Sequence, residues 1–181
     1  MKHEFVGELG RAWASDDDAV IGDPGGFGEV FRGSSQDNEL PCAVKRVRLR
    51  SGDEEERRRR DREVAAANFL VASNNDRPRR HILMPLDHCV LDDELLIVMP
   101  LADHSLRQSL VRGLPDHEKF VAARHTVLGL MELAELAMLH HDIKPRNILK
   151  FASDWKLADF GMARLLDDET ASFMFRGGTK P

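Results

Sequence analysis

The run His140–His141–Asp142–Ile143–Lys144–Pro145–Arg146–Asn147, with Asp159–Phe160–Gly161 soon after it, constrains this chain more than any other stretch. An Asp, a Lys and an Asn stand in one short segment, directly after the long apolar stretch from Val127 to Leu139. Oxygen ligands and a cation at such short range suit the joint holding of Mg²⁺ and phosphate oxygens. Mg²⁺ takes one or two carboxylates plus phosphate oxygens in preference to an all-protein cage. A Gly-rich turn and a lysine in a strand would complete such a site, and both occur upstream.

A length of 181 residues predicts one domain with a real hydrophobic core, and 42% apolar with 31% charged residues predicts a globular chain. The net charge of −5 argues against nucleic acid as the main partner. Cys42 and Cys89 lack metal-ligand spacing, which points to a reducing, cytoplasmic setting. Met1–Phe5 shows no apolar core of a secretion signal. The apolar stretch at 127–139 is broken by Glu132 and Glu135 and is too short to span a bilayer, so no membrane role is expected. Tyrosine is absent, which excludes tyrosine phosphorylation of the chain itself.

Residues 1–18 read as an extension with a short helix around Phe5–Trp13. Ala19–Ile21 and Glu29–Arg32 read as strands flanking the glycine-rich turn Gly22–Gly28, a hairpin whose backbone can approach a ligand. An ordinary tight hairpin explains that turn as well as a phosphate-covering loop does. A dinucleotide fingerprint is disfavoured, because strand rather than helix follows Gly28. Leu40–Val47 is a third strand, with Ala43, Lys45 and Val47 on one face; a lone lysine there would by itself snorkel to solvent.

A helix from Glu54 to Ala72 follows, with Glu54–Arg58, Glu55–Arg59 and Glu56–Arg60 in the favourable i,i+4 order. Its arginine run is balanced by acids and reads as a solvated face. Glu63 shares the core side with Ala66, Ala67 and Leu70, and a buried carboxylate needs a partner such as Lys45. His81–Leu86 and Cys89–Leu91 read as short strands and Glu94–Leu101 as a strong one. Asp103–Arg112 and His117–Leu139 read as helices, the second apolar on most sides from Val127 onward. A hairpin of Ile148–Lys150 and Trp155–Ala158 then delivers Asp159 beside Asn147.

In this order the segments from about Val20 to Thr179 resemble the eukaryotic-type protein kinase family, serine/threonine branch. The resemblance rests on Gly28–Glu29–Val30, Ala43–Val44–Lys45, Glu63, His-x-Asp-x-Lys-Pro-x-Asn at 140–147, Asp159–Phe160–Gly161 and Gly178–Thr179. It implies an α+β fold: a five-stranded antiparallel N-lobe with one major helix at 19–101, and an incomplete helical C-lobe at 102–181. It also implies roles. Lys45, oriented by Glu63, would pair with the α/β-phosphates of ATP, and Asp142 would accept or orient the substrate hydroxyl. Lys144 would neutralise the γ-phosphate, and Asn147 and Asp159 would hold Mg²⁺. Ile21, Gly22, Gly25, Gly26, Phe27 and Gly28 would cover the nucleotide. Val30, Ala43 and Leu149 would sandwich adenine, with Met99 at the back of the pocket and Leu101 in the hinge. The implied substrate is a protein Ser/Thr hydroxyl.

The chain departs from the family's pattern in places. Asp23 stands where the first loop glycine is expected, and Pro100 offers no hinge N–H. His141 replaces the Arg that receives an activation-segment phosphate, and Phe175 stands four before Thr179. Activity independent of such phosphorylation is therefore expected, with Thr170 and Ser172 as ordinary loop residues. The sequence given stops at Pro181, before the Ala-Pro-Glu element, which predicts either a truncation or a protein partner covering the lower face. A non-catalytic interaction protein is the alternative function, and a small-molecule phosphotransferase a third.

Overall fold

The computed structural model describes residues 2–21, 28–37, 40–49, 54–73 and 79–166, leaving aside the side chains of 55–57, 59 and 60. The turn at Gly22–Phe27 and the segment carrying Thr170, Ser172, Phe175, Gly178 and Thr179 lie outside the described residues.

Residues 2–20 form an antiparallel hairpin, β1 (Lys2–Val6) and β2 (Ala12–Val20), in which Phe5 pairs with Trp13. The short helix expected around Phe5–Trp13 is therefore absent. The hairpin sets Phe5 and Trp13 opposite each other, and both are buried in one apolar cluster. Burial of two aromatics outweighs the weak local preferences that suggested a turn of helix.

β3 (Glu29–Ser35), β4 (Pro41–Arg48), the helix α1 (Glu54–Ser73), β5 (Asp87–Leu91) and β6 (Glu94–Pro100) complete the upper part. The sheet runs β1-β2-β3-β4-β6-β5 and is antiparallel throughout, with six strands where five were expected. The additional strand comes from the segment expected as an extension.

The sheet curls until its edges meet. Glu8 N–H donates to the His88 carbonyl at 2.8 Å, and Leu9 N–H to Asp87 Oδ1 at 3.1 Å. Trp13 Nε1 donates to Asp87 Oδ2 at 3.0 Å. Asp87 is fully buried and is satisfied by these donors and its neighbour His88 N–H. A Cβ at Gly7 would stand 2.0 Å from the Asp87 carboxylate, so only glycine fits there.

Period-two alternation splits the sheet into two faces. Trp13, Cys42, Val44, Leu96 and Val98 fill the enclosed side. Val47, Leu95 and Ile97 pack against Ala67 of α1 on the other.

The lower part begins with β7 (His104–Ser105) and α2 (Leu106–Val111). This helix is shorter than the expected Asp103–Arg112 because Ser105 caps it in a reciprocal pair with Gln108. α3 (Asp116–Glu135) stops before the expected Leu139. Ala137 turns at φ 50°, and β8 (Met138–Leu139) follows. A one-turn 3₁₀ helix (Pro145–Asn147) leads into the hairpin β9 (Ile148–Phe151) and β10 (Asp154–Leu157). β11 (Arg164–Leu165) pairs back onto β8.

The stretch expected as a strand at His81–Leu86 makes a single bridge, Ile82 to Leu157. It is pinned there because Gly129 of α3 meets the His81 carbonyl, where a Cβ would come within 2.5 Å. Ile82, Leu133, Met138, Trp155 and Leu157 form the lower core, and Leu70 ties α1 to it. α3 buries Ala122, Gly129 and Leu133 but leaves Phe120, Val127 and Met131 exposed. Among the described residues no helix is long and apolar enough to cross a membrane.

Candidate active site

Lys45 lies mid-strand in β4, between Val30 of β3 and Ile97 of β6, on the face that α1 covers. It does not snorkel; it is buried at 7% exposure. Its ammonium donates to Glu63 of α1 and, at 2.8 Å, to Asp159 Oδ1. Burial alone would lower the Lys45 pKa, but the two carboxylates more than offset it and the group stays above its ordinary value.

Asp159 shows the mirror case. Burial pushes its carboxyl up, and Lys45 together with the Gly161 N–H pulls it below the usual carboxylate range. One buried cation thus joins two carboxylates from different parts of the chain. Gly161 packs closely here: a Cβ there would stand 3.0 Å from Glu63 Oε2 and press on that carboxylate. Asp159 itself holds a left-handed φ of 66°, a conformation that needs surrounding structure to sustain it.

The loop at 140–147 is a local construction. Asp142 Oδ2 receives Lys144 Nζ at 2.6 Å and Asn147 Nδ2 at 3.0 Å. Asn147 Nδ2 also donates to the Asp142 carbonyl at 2.9 Å. Two acceptors around Nδ2 fix the amide orientation and leave Oδ1 to face other groups as an acceptor. Ala158 N–H donates to the Asn147 carbonyl at 2.8 Å, which sets Asn147 beside Asp159. The expected delivery of Asp159 next to Asn147 is what the hairpin achieves.

His140 is the positioning residue that sequence reasoning did not assign. It is buried, its Nε2–H donates to the Ala158 carbonyl at 3.1 Å, and its Nδ1 accepts from Asp142 N–H at 3.3 Å. Accepting at Nδ1 requires the neutral ring. Burial, the largest influence, lowers the His140 pKa in agreement, against the Ala158 carbonyl and the nearby aspartates. A polar residue straight after an apolar helix was the available signal. His141, by contrast, is exposed with φ 62°.

Above this loop, Ala43 pairs with Met99 and Val30 with Lys45, so Val30, Ala43, Lys45 and Met99 share one face. Ile21 N–H donates to the Val30 carbonyl at 2.7 Å, joining the ends of β2 and β3. Leu101 follows β6 and Leu149 lies in β9 beside Ser105; both are half-buried. Gly28, at φ 108°, sits where a Cβ would be 2.3 Å from the Arg46 carbonyl. Gly22, Gly25, Gly26 and Phe27 lie outside the described residues. Behind the lysine, a cavity of about 30 Å³ is lined by Lys45, Glu63, Leu70, Met99, Asp159 and Phe160.

The protein kinase domain family matches residues 16–180. This chain belongs to the protein kinase family. It is similar to the dual specificity protein kinase shkB of Dictyostelium discoideum, at 29% identity over 81% of this chain and 22% of that protein. It is similar to a cyclin-dependent kinase 4 homolog of Caenorhabditis elegans, at 26% identity over 81% of this chain and 38% of the relative. The serine/threonine-protein kinase ppk23 of Schizosaccharomyces pombe shares 27% identity over 82% of this chain and 37% of its own length. The chain thus spans well under half the length of these relatives.

Proposed function

We propose that this chain carries the ATP-binding and catalytic-loop portion of a serine/threonine protein kinase, with 19–101 serving the nucleotide and 102–181 the acceptor. The observation that carries the reading is Lys45 held between Glu63 and Asp159, with Asn147 and Asp142 alongside. Lys45, fixed by two carboxylates, presents a buried positive charge to the α/β-phosphates. The free oxygen of Asn147 and the carboxylate of Asp159 match the sparse donor set that Mg²⁺ prefers when phosphates supply the rest. Mg²⁺, when bound, would offset negative charge spreading over the transferred phosphoryl group.

Asp142 orients the acceptor hydroxyl and takes its proton, while Lys144, bonded to the same carboxylate, meets the γ-phosphate. His140 keeps Asp142 aimed by holding its backbone N–H. Lys144 next to Asp142 supports a Ser/Thr acceptor, as does the similarity to a serine/threonine kinase. Cys42 and Cys89 are free buried thiols, each pushed up to about 11, chiefly by burial, which supports a reducing, cytoplasmic setting.

The deciding experiment is phosphotransfer from Mg–ATP to a generic Ser/Thr protein, with Asp142→Asn as control. Turnover that the variant lacks is expected; equal background in both would overturn the enzyme reading. The exposed Phe120, Val127 and Met131 of α3 favour a second reading, a kinase-like protein that binds a partner through this face. That reading survives if ATP binds but neither protein turns over.

A further inference from the structure

On the enclosed side of the sheet, opposite Lys45, the next residue of β4 makes contacts that the proposed chemistry does not use. Arg46 Nη2 lies 2.5 Å from Ser15 Oγ and 2.5 Å from Asp17 Oδ1 of β2. Its guanidinium also stacks on the Phe31 ring of β3, 4.4 Å from the centroid. One side chain of β4 therefore holds both strands that lead into and out of the glycine turn. It does so where the sheet needs it. The β2–β3 register shifts between Ser15 and Val20, and the ladder there is interrupted. Asp17 lies inside that irregularity. The backbone of Arg46 contributes as well, since its carbonyl packs on Gly28 and Arg46 pairs with Glu29 in register.

The pair is largely out of water, with side-chain exposures of 14% for Arg46 and 32% for Asp17. A planar guanidinium that bonds and stacks together is a fixed geometry that lysine does not reproduce.

We infer that Arg46, through Asp17, Ser15 and Phe31, is a positioning residue that fixes Ile21, Gly28 and Val30, three residues proposed to meet the nucleotide. The inference rests on the proposed ATP-binding reading. Arg46 touches no phosphate; it acts by fixing the Ile21–Val30 hydrogen bond and the seat of Gly28. Its loss therefore loosens nucleotide binding without disturbing Asp142.

The test uses Arg46→Ala, Arg46→Lys and Asp17→Asn in the full chain, with two readouts. The first is amide hydrogen exchange at Ile21, which needs no ligand. The second is the affinity for Mg–ATP alongside kcat and the KM for the protein acceptor. The expected result is faster Ile21 exchange in all three. Mg–ATP affinity should weaken about tenfold for Arg46→Ala, the scale of one charge-assisted contact, and less for the other two. Acceptor KM and kcat at saturating ATP should hold. Unchanged Ile21 exchange in a folded Arg46→Ala or Arg46→Lys protein overturns the inference. So does faster exchange with unchanged ATP affinity. Failure of the unmodified chain to bind Mg–ATP overturns the proposed function instead, and with it the nucleotide half of the inference, whereas the exchange result still judges the clamp.

Discussion

The two halves of the cleft reach similar charge arrangements by opposite routes. In the upper half, Lys45 and Glu63 are almost fully desolvated and come from a strand and a helix, and Asp159 arrives from 114 residues beyond Lys45 in the chain. In the lower half, Asp142, Lys144 and Asn147 come from one short loop; Asn147 is buried, while Asp142 and Lys144 keep partial contact with water. The upper half is held by tertiary packing and the lower by local hydrogen bonds. A change in the upper half should therefore cost folding and function together, and a change in the lower half should cost function almost alone.

The largest effect that would sharpen this contrast is Asp142→Asn. Turnover should fall by about 10²–10⁴-fold, the usual worth of a positioned acid or base. The thermal midpoint and Mg–ATP affinity should stay near those of the unmodified chain, because the amide still fits the loop. A large drop in thermal stability would break the contrast.

Next comes Lys45→Met. It removes the cation shared by Glu63 and Asp159 at a largely buried site, so denaturant unfolding should report a loss of about 3–5 kcal/mol. Mg–ATP affinity should fall with it. Full stability in this variant would mean that the upper half is no more a tertiary construction than the lower.

A smaller effect should appear on lowering the pH. His140 has a folded pKa below its ordinary 6.5, so the unfolded chain binds the proton first. Its contribution is fully present above about pH 6.5 and is lost as pH falls through the lowered folded value. Unfolding followed from pH 8 to pH 5 should show the decline, and His140→Phe should flatten that part of the profile.

The smallest effect belongs to Lys144→Ala. Its pair with Asp142 is 37% and 23% exposed, so stability should change by less than about 1 kcal/mol. The kinetic loss should exceed that in free-energy terms.

The same contrast explains what could be read from the sequence. The loop at 140–147 was legible because its residues meet within a few positions, and spacing alone places them together. Glu63 facing Lys45 was legible because helical periodicity put a carboxylate on an apolar face that needed a cation. The hairpin of β1 and β2 was not, since Phe5 and Trp13 pair across a turn and show no local period. Asp87, which accepts from the Trp13 ring N–H, lies far along the chain, and no pattern links the two. The burial of Lys45 was likewise invisible in a lone strand, because it depends on Asp159 arriving from beyond the loop at 140–147. His140 looked like one member of a motif until its two ring nitrogens were seen bonded on opposite sides.

The chain has two tryptophans and no tyrosine, and the structure buries one in each half. Trp13 is sealed in the curled sheet with its ring N–H on Asp87, while Trp155 sits in the lower core between His104 and Lys150. Intrinsic fluorescence is thus already divided between the two halves. Trp13→Phe and Trp155→Phe would yield two single-reporter proteins, whose emission tells whether the upper and lower halves melt together or in turn.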